Sequence, residues 1–233
     1  GSLGYSGGLE FDYIIIHETG HEWWGNSITT NDIADMWIHE GFCTYSEALY
    51  VECIYGYDQM LEYVNNQKRF IRNKSPIVGC YHVNHQGSGD MYQKASVMLH
   101  TLRTLINDDQ LWFSIIREIS DKFKYKTINA SDIMTFIMQR TEKDLTVFFS
   151  QYLNNAKLPE FQYQLIKEGR NTTIKYRWEA IDMFDMPLLV NSGNEDFWIY
   201  PNNSWKEMSL GKIDSREFSV KEELFLLDIK KVK

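Results

Sequence analysis

Two histidines and a glutamate in one short segment have the spacing of a metal site. His17-Glu18-Thr19-Gly20-His21 follows the pattern H-E-x-x-H. On a helix, residues four apart lie one turn above each other on the same face, so both imidazoles can bind one Zn²⁺ at about 2.0–2.1 Å. Glu18 then lies on the neighbouring flank, where its carboxylate can act on a water at the metal. The segment therefore predicts a hydrolytic zinc site.

A catalytic zinc needs a third protein ligand and a fourth position for water or substrate. Glu40 follows His21 with 18 residues between them, enough for a loop and a returning helix. An H-E-x-x-H pattern arises by chance with odds of ~1% in such a chain, and a glutamate at one fixed later position lowers the odds to roughly one in a thousand. We therefore predict His17, His21 and Glu40 as the ligands of one zinc ion per chain.

The segment before the first histidine must be helical for this prediction to hold. Ile14, Ile15 and Ile16 are β-branched and alone favour a strand. On a strand, however, residues four apart stand roughly 13 Å apart, too far to share a metal. Apolar residues at three- and four-residue spacing predict helices in seven segments. These segments lie near 11–25, 36–54, 57–73, 91–107, 109–123, 131–140 and 144–155.

The pattern changes after Pro159. Short runs of alternating polar and apolar residues appear there, separated by Asn, Gly and Pro, which is typical of a small antiparallel sheet domain. We expect a mainly α-helical domain, 1–157, followed by a β-sandwich-like domain, 160–233. One long glycine-bearing loop, 79–89, interrupts the helices.

Composition excludes several classes of protein. The chain has 233 residues, and 24 Lys+Arg against 32 Asp+Glu give a net charge of -8, which argues against a nucleic-acid-binding surface. Contents of 43% hydrophobic and 15% aromatic residues exclude a disordered chain. No apolar run approaches the roughly 18 residues of a transmembrane helix. We expect a soluble protein without a transmembrane segment, and three cysteines are too few for a disulfide scaffold.

Further residues around the metal motif carry a resemblance to a known family. They are Trp24-Gly25-Asn26 after the second histidine, Trp37 and Tyr45 around Glu40-Gly41-Phe42, and Tyr92-Gln93-Lys94-Ala95. With the 18-residue gap, this set resembles the zinc aminopeptidases of the aminopeptidase N class, a branch of the gluzincins. The specific resemblance covers about residues 11–100, and a looser one continues into the sheet domain.

The resemblance implies a thermolysin-like zinc module that removes N-terminal residues from peptides. Glu18 would take a proton from the attacking water and pass it to the leaving amine. Tyr92 would donate to the developing oxyanion. Glu47, two turns after Glu40 on the same helical face, would orient a zinc-bound imidazole, and Asn26 would support the site similarly.

One element of the family is missing. No Gly-x-Met-Glu-Asn sequence, whose glutamate captures the substrate α-amine, occurs in the chain. We therefore expect a fragment, cut in the loop-like stretch Gly1–Gly8, that binds zinc with little aminopeptidase activity alone. Two alternatives stay open: a zinc endopeptidase, and a catalytically inert metal-binding interaction module. The compartment is equally open, with the cell envelope and secretion among the choices, and the sequence does not indicate an oligomeric state.

The remaining candidate ligands are weaker. His82 and His85 lie three apart in the glycine-bearing loop and are expected at the loop surface or the cleft wall rather than at a second metal. His39 and His100 are expected to be structural. Cys43 lies one turn after Glu40, but a fourth protein ligand would block the position that catalysis needs, so we expect a buried small apolar residue.

Overall fold

The structure is a computed structural model that describes residues 9–193, 195–214 and 216–232. The expected loop at Gly1–Gly8 lies outside these residues. The chain divides into two compact units. The first comprises Gly1–Leu145 and Tyr152–Lys157, and the second comprises Thr146–Gln151 and Leu158–Lys233. The predicted domains, 1–157 and 160–233, differ from these units in the short segment 146–151.

The first unit is mainly helical. Two short parallel strands, β1 (Ile28–Thr30) and β2 (Lys126–Ile128), pair beside the helices. None of the helices in the described residues combines the length and the apolar composition needed to cross a lipid bilayer. The helices are α1 (Tyr13–Gly20), α2 (Trp37–Tyr55), α3 (Tyr57–Gln67), α4 (Gln93–Ile106), α5 (Asp109–Phe123) and α6 (Ala130–Thr141), and α7 (Thr146–Asn154) spans the division between the units.

Helix α1 forms despite its three isoleucines, and it ends at Gly20, earlier than predicted. The chain then turns, because Gly25 adopts a φ of 142°, a conformation that side chains with a Cβ rarely adopt. Backbone hydrogen bonds from Trp24 to Gly20 (2.9 Å) and from Asn26 to His21 (2.9 Å) stabilise the turn. This turn directs the chain into β1, and α2 then returns alongside α1.

Helix α3 also ends earlier than predicted, at Gln67, and a short 3-10 turn follows it. The buried Asp90 accepts backbone N–H groups of Arg72 (2.8 Å) and Asn73 (2.7 Å). These bonds tie the chain after α3 to the segment that leads into α4. Asp90 thereby helps to fix the position of Tyr92, the residue before α4.

The second unit contains two sheets. A tight hairpin turn joins the first two strands of this unit at Gly169, where φ is 62°. Tyr163 of the first sheet contacts Phe218 of the second, with ring centroids 5.3 Å apart. The first sheet has the order β7-β4-β3-β9 and the second β6-β5-β8. The strands are β3 (Glu160–Glu168), β4 (Asn171–Glu179), β5 (Leu188–Ser192), β6 (Glu195–Ile199), β7 (Lys206–Gly211), β8 (Phe218–Val220) and β9 (Asp228–Lys231).

One strand pair corrects the prediction of an antiparallel sheet. Strand β9 runs parallel to β3, while the other pairs of this unit are antiparallel. A parallel pair requires a crossover connection. The chain provides it because it passes through β8 in the second sheet before β9 returns to the first, where Asp228 donates its N–H to the carbonyl of Pro159 (3.0 Å).

Candidate active site

Three side chains from two helices converge in the helical unit. His17 lies on α1, His21 follows directly after α1, and Glu40 lies in the first turn of α2. Glu40 Oε2 is 3.2 Å from His17 Nε2 and 3.5 Å from His21 Nε2. Ligand atoms about 2.1 Å from a tetrahedral ion lie about 3.4 Å from one another. The spacing of the three donors, which all lie within 4.8 Å, therefore fits one Zn²⁺.

The other nitrogen of each imidazole has an acceptor. His17 Nδ1 is 2.8 Å from Glu47 Oε1, and His21 Nδ1 is 3.0 Å from the carbonyl oxygen of Trp24. A carbonyl and an ionised carboxylate only accept hydrogen bonds, so both Nδ1 atoms carry the proton. Each Nε2, the ring nitrogen on the Glu40 side, is therefore the atom that would bind a metal once it gives up any proton it shares with Glu40, as in metal-binding histidines.

The buried Cys43 lies on the wrong side of His21 for a ligand. Its Sγ is 3.3 Å from Nδ1, the nitrogen opposite the one that approaches Glu40. Burial, reinforced by the carboxylates around it, raises the pKa of the thiol far above its ordinary value. A protonated thiol is a poor ligand and nucleophile. Cys43 is therefore not a candidate ligand, and the donors are two histidines and one glutamate.

The charges around His17 favour a cation. Burial alone lowers the pKa of His17, but hydrogen bonds to Glu40 and Glu47 outweigh it and raise the pKa to about 9. The same negative charges attract a divalent metal ion. Glu47 is only 4% exposed, and burial raises its pKa. The neighbouring His39 faces elsewhere, since its Nε2 accepts the N–H of Thr30 at 3.0 Å.

A cavity of about 420 Å³ is lined by one of the three donor residues, His17. Glu18, exposed on α1, and Tyr92, before α4, both line it together with His17. The ring of Tyr92 lies 6.0 Å from the ring of His17. Partial burial and the charges of Glu40 and Glu18 raise the pKa of Tyr92. Its hydroxyl therefore keeps its proton at neutral pH and, through a hydrogen bond to Glu40, lies as a donor beside the candidate ligands.

Asn26 differs from expectation. Its side chain is exposed and donates to Glu22 Oε1 at 3.3 Å, so the structure does not bring this amide to the candidate ligands. The reason is the early end of α1, because the turn after it carries Asn26 away from Glu40. Only the backbone N–H of Asn26 contacts the site, through the carbonyl of His21 (2.9 Å).

Two features of the site could not be predicted from sequence spacing. The hydroxyl of Tyr63, on α3, donates to Glu47 Oε2 at 2.5 Å. In addition, a Cβ at Gly41 would lie 2.6 Å from the Cβ of Ala95, so α2 and α4 approach closely beside Glu40. No spacing rule connects residues on different helices, so the contact of Tyr63 had no sequence signal. The small residues Gly41 and Ala95, one in each motif, were a signal for the close approach of α2 and α4.

The other histidines stand apart from this cluster. His82 is exposed in the glycine-bearing loop, and His85 Nδ1 accepts the N–H of Cys80 at 3.0 Å. His100 is buried within α4. No second group of three His, Cys, Asp or Glu residues with metal-binding spacing occurs in the parts of the chain that the structure describes.

The region that contains these residues is similar to known proteins. A family model described as the peptidase family M1 domain matches residues 8–152, more than half of the chain. The chain belongs to peptidase family M1. It is 23% identical to human aminopeptidase B over 140 residues, which cover 54% of this chain and 22% of the relative. It is 22% identical to aminopeptidase N of Lactococcus lactis subsp. lactis over 168 residues, which cover 66% of this chain and 20% of that protein.

A solved structure resembles the M1 chain over nearly its whole length. It is Legionella pneumophila aminopeptidase A in complex with aspartic acid, with a TM-score of 0.74 and 16% sequence identity. The likeness covers 95% of this chain and 27% of that one, and at this identity it shows the fold. This M1 chain spans about a fifth of the length of the curated relatives named above.

Proposed function

We propose that this M1 chain binds one Zn²⁺ through His17, His21 and Glu40 and that, as part of the full-length protein, it hydrolyses peptide bonds and releases N-terminal residues from peptides. The observation that carries the proposal is the convergence of two Nε2 atoms and one Oε2 atom at the spacing of a tetrahedral site. The names of the two relatives given above, both aminopeptidases, support the reaction class. The proposal includes a thermolysin-like arrangement of the helical domain, 1–157, and a sandwich-like packing of 160–233.

Each candidate catalytic group has a defined task. When bound, the zinc ion polarises the substrate carbonyl and lowers the pKa of water. Glu18 accepts the proton of the attacking water and later gives it to the leaving amine, because its exposed carboxylate lines the same cavity. Tyr92, protonated at neutral pH, donates a hydrogen bond to the carbonyl oxygen as negative charge develops there.

The surroundings hold these groups in place and select the substrate. Glu47 fixes the tautomer and the ring orientation of His17. Glu18 and Glu47 give the cavity wall a negative character, which suits a peptide with a cationic N-terminus. Peptides are therefore the proposed partners of this site.

The first experiment separates metal binding from chemistry. We expect about one zinc per wild-type chain by elemental analysis and almost none in His17→Ala. Glu18→Gln should retain zinc and lose hydrolysis by several orders of magnitude in the full-length protein. Glu22→Gln is the matched control, because Glu22 is exposed one turn later and contacts Asn26 instead of the cavity. A wild-type chain without zinc would refute the proposal.

A second experiment distinguishes the alternatives. Turnover of amino-acid anilides without cleavage of N-terminally blocked peptides identifies an aminopeptidase, and the opposite pattern identifies an endopeptidase. An inert metal-binding module would retain zinc but cleave neither substrate, and Glu18→Gln would then change nothing. Tyr92→Phe should lower kcat about 100-fold or more while zinc content is unchanged.

A further inference from the structure

We propose that Tyr63 is a positioning residue of the zinc site that acts on His17 through Glu47. The inference rests on the zinc site of the proposed function and extends it to a third helix. The Tyr63 hydroxyl donates to Glu47 Oε2 at 2.5 Å, and Glu47 Oε1 accepts the proton of His17 Nδ1 at 2.8 Å. A continuous line of hydrogen bonds thus joins α3, α2 and α1.

The two oxygens of Glu47 are used separately. One binds the imidazole and the other binds the phenol, so the plane of the carboxylate is fixed at both ends. Glu47 is 4% exposed and therefore has little access to water as a substitute donor. A buried carboxylate that loses one donor turns toward any donor that remains. Loss of the Tyr63 hydroxyl should therefore loosen the orientation of Glu47 and, with it, of His17.

Packing sets the position of the phenol. Tyr63 is 6% exposed, and its ring lies 5.8 Å from the ring of Phe11, just before α1. The hydroxyl is therefore held in place before any metal binds. Such pre-organisation lowers the cost of ordering His17 as a ligand. Tyr63 itself also lines the cavity, as part of the same wall as Glu47.

The expected effect is on metal affinity. Removing a partner that hydrogen-bonds directly to a metal-bound imidazole typically weakens metal binding about 10- to 100-fold. Tyr63 acts one bond further away, so we expect Tyr63→Phe to weaken zinc binding about tenfold. The substitution retains the ring, and with it the packing against Phe11.

Tyr50→Phe is the matched control. The ring of Tyr50 contacts the same Phe11, with centroids 5.5 Å apart, but its hydroxyl is not part of the hydrogen-bond line to His17. Zinc affinity is measured by competition with a chelator, and the unfolding midpoint of the metal-free chain is measured in urea. We expect Tyr63→Phe to lose zinc affinity while it stays folded, and Tyr50→Phe to bind zinc as the wild type does.

A double-mutant cycle shows whether Tyr63 acts through Glu47. In a Glu47→Gln background, Tyr63→Phe should change zinc affinity by less than about twofold, because the carboxylate that it orients is gone. An undiminished tenfold effect in that background would overturn the inference, as would wild-type affinity in Tyr63→Phe or an equal loss in Tyr50→Phe. These results leave the zinc site of the wild type intact, whereas a wild type that binds no zinc overturns the proposed function as well.

Discussion

A substitution at the contact between Gly41 and Ala95 can change the geometry of the site while every candidate ligand and catalytic side chain is retained. A Cβ at Gly41 would lie 2.6 Å from the Cβ of Ala95 and 3.2 Å from the carbonyl oxygen of Met91. Nonbonded carbons require about 3.5–4.0 Å, so Gly41→Ala must separate α2 and α4 by roughly 1 Å at this point. Both backbones are helical there, which leaves little freedom to relax locally.

The magnitude follows from two opposing terms. Overpacking a core costs about 1–3 kcal/mol, whereas replacing a helical glycine by alanine gains about 1 kcal/mol. We therefore predict a net loss of about 1 kcal/mol in the free energy of unfolding. The expected loss of activity is larger. Glu40 precedes Gly41 and Tyr92 precedes α4, so the separation moves Tyr92 from the ligands, and a displacement of ~1 Å can cost about 100-fold in kcat.

The assay is a double-mutant cycle in urea, combined with zinc affinity and, in the full-length protein, kcat. Ala95→Gly alone should cost about 2 kcal/mol, half from helix propensity and half from the lost buried methyl. Gly41→Ala/Ala95→Gly only moves the methyl across the interface, so it should lie within about 1 kcal/mol of wild type. Gly89→Ala is the control, because a Cβ there meets nothing within 4 Å.

Two results would refute this reasoning. Additive losses of about 3 kcal/mol in the double variant would show that the methyl groups do not compete for one space. A Gly41→Ala variant with wild-type kcat would show that the distance between α2 and α4 does not control Tyr92. Zinc affinity should change little in either case, because the three proposed ligands lie on or next to α1 and α2.

Two further predictions concern buried groups of the helical unit. Burial lowers the pKa of His100 to about 3, so only the unfolded chain takes up this proton as pH falls below 6.5, and stability should fall by about 2 kcal/mol at pH 5. His100→Leu should remove this part of the pH dependence in urea titrations, and an unchanged profile would contradict the assignment. Arg103→Met should cost about 3 kcal/mol in the same assay, because the buried guanidinium binds Glu52 and Asp109 bidentately. Arg140→Met is the control, because Arg140 pairs with Glu118 at the exposed surface, where an ion pair contributes little; equal losses would refute the argument.

The proposed ligand set could be derived from the sequence because helical geometry links sequence spacing to distance. His17 and His21 share a face only on a helix, and this constraint favoured α1 over the strand that Ile14–Ile16 suggest by propensity. Glu47 could be placed in the same way, since it lies two turns after Glu40 on α2. Residues within one or two helical turns of a motif are therefore accessible to sequence reasoning.

The parts that could not be predicted depend on contacts between elements. Tyr63 reaches Glu47 from another helix, and the position of Asn26 depends on where α1 ends. The end of α1 is set by a turn around Gly25, and the periodicity of apolar residues does not predict where that turn begins. The parallel pairing of β9 likewise depends on the path of the chain between two sheets, which alternation of polar and apolar residues does not encode.

Two glycines of the sequence motifs, Gly20 and Gly41, show how contacts between helices are fixed by the sequence. A Cβ at Gly20 would lie 3.1 Å from Cys43 Sγ, and a Cβ at Gly41 would lie 2.6 Å from Ala95, so both glycines mark points of close helix approach. The first brings α1 against α2, which places His17 and His21 beside Glu40. The second brings α2 against α4, which places Tyr92 beside them. Residues without chemistry of their own thus set the distances on which the proposed chemistry depends.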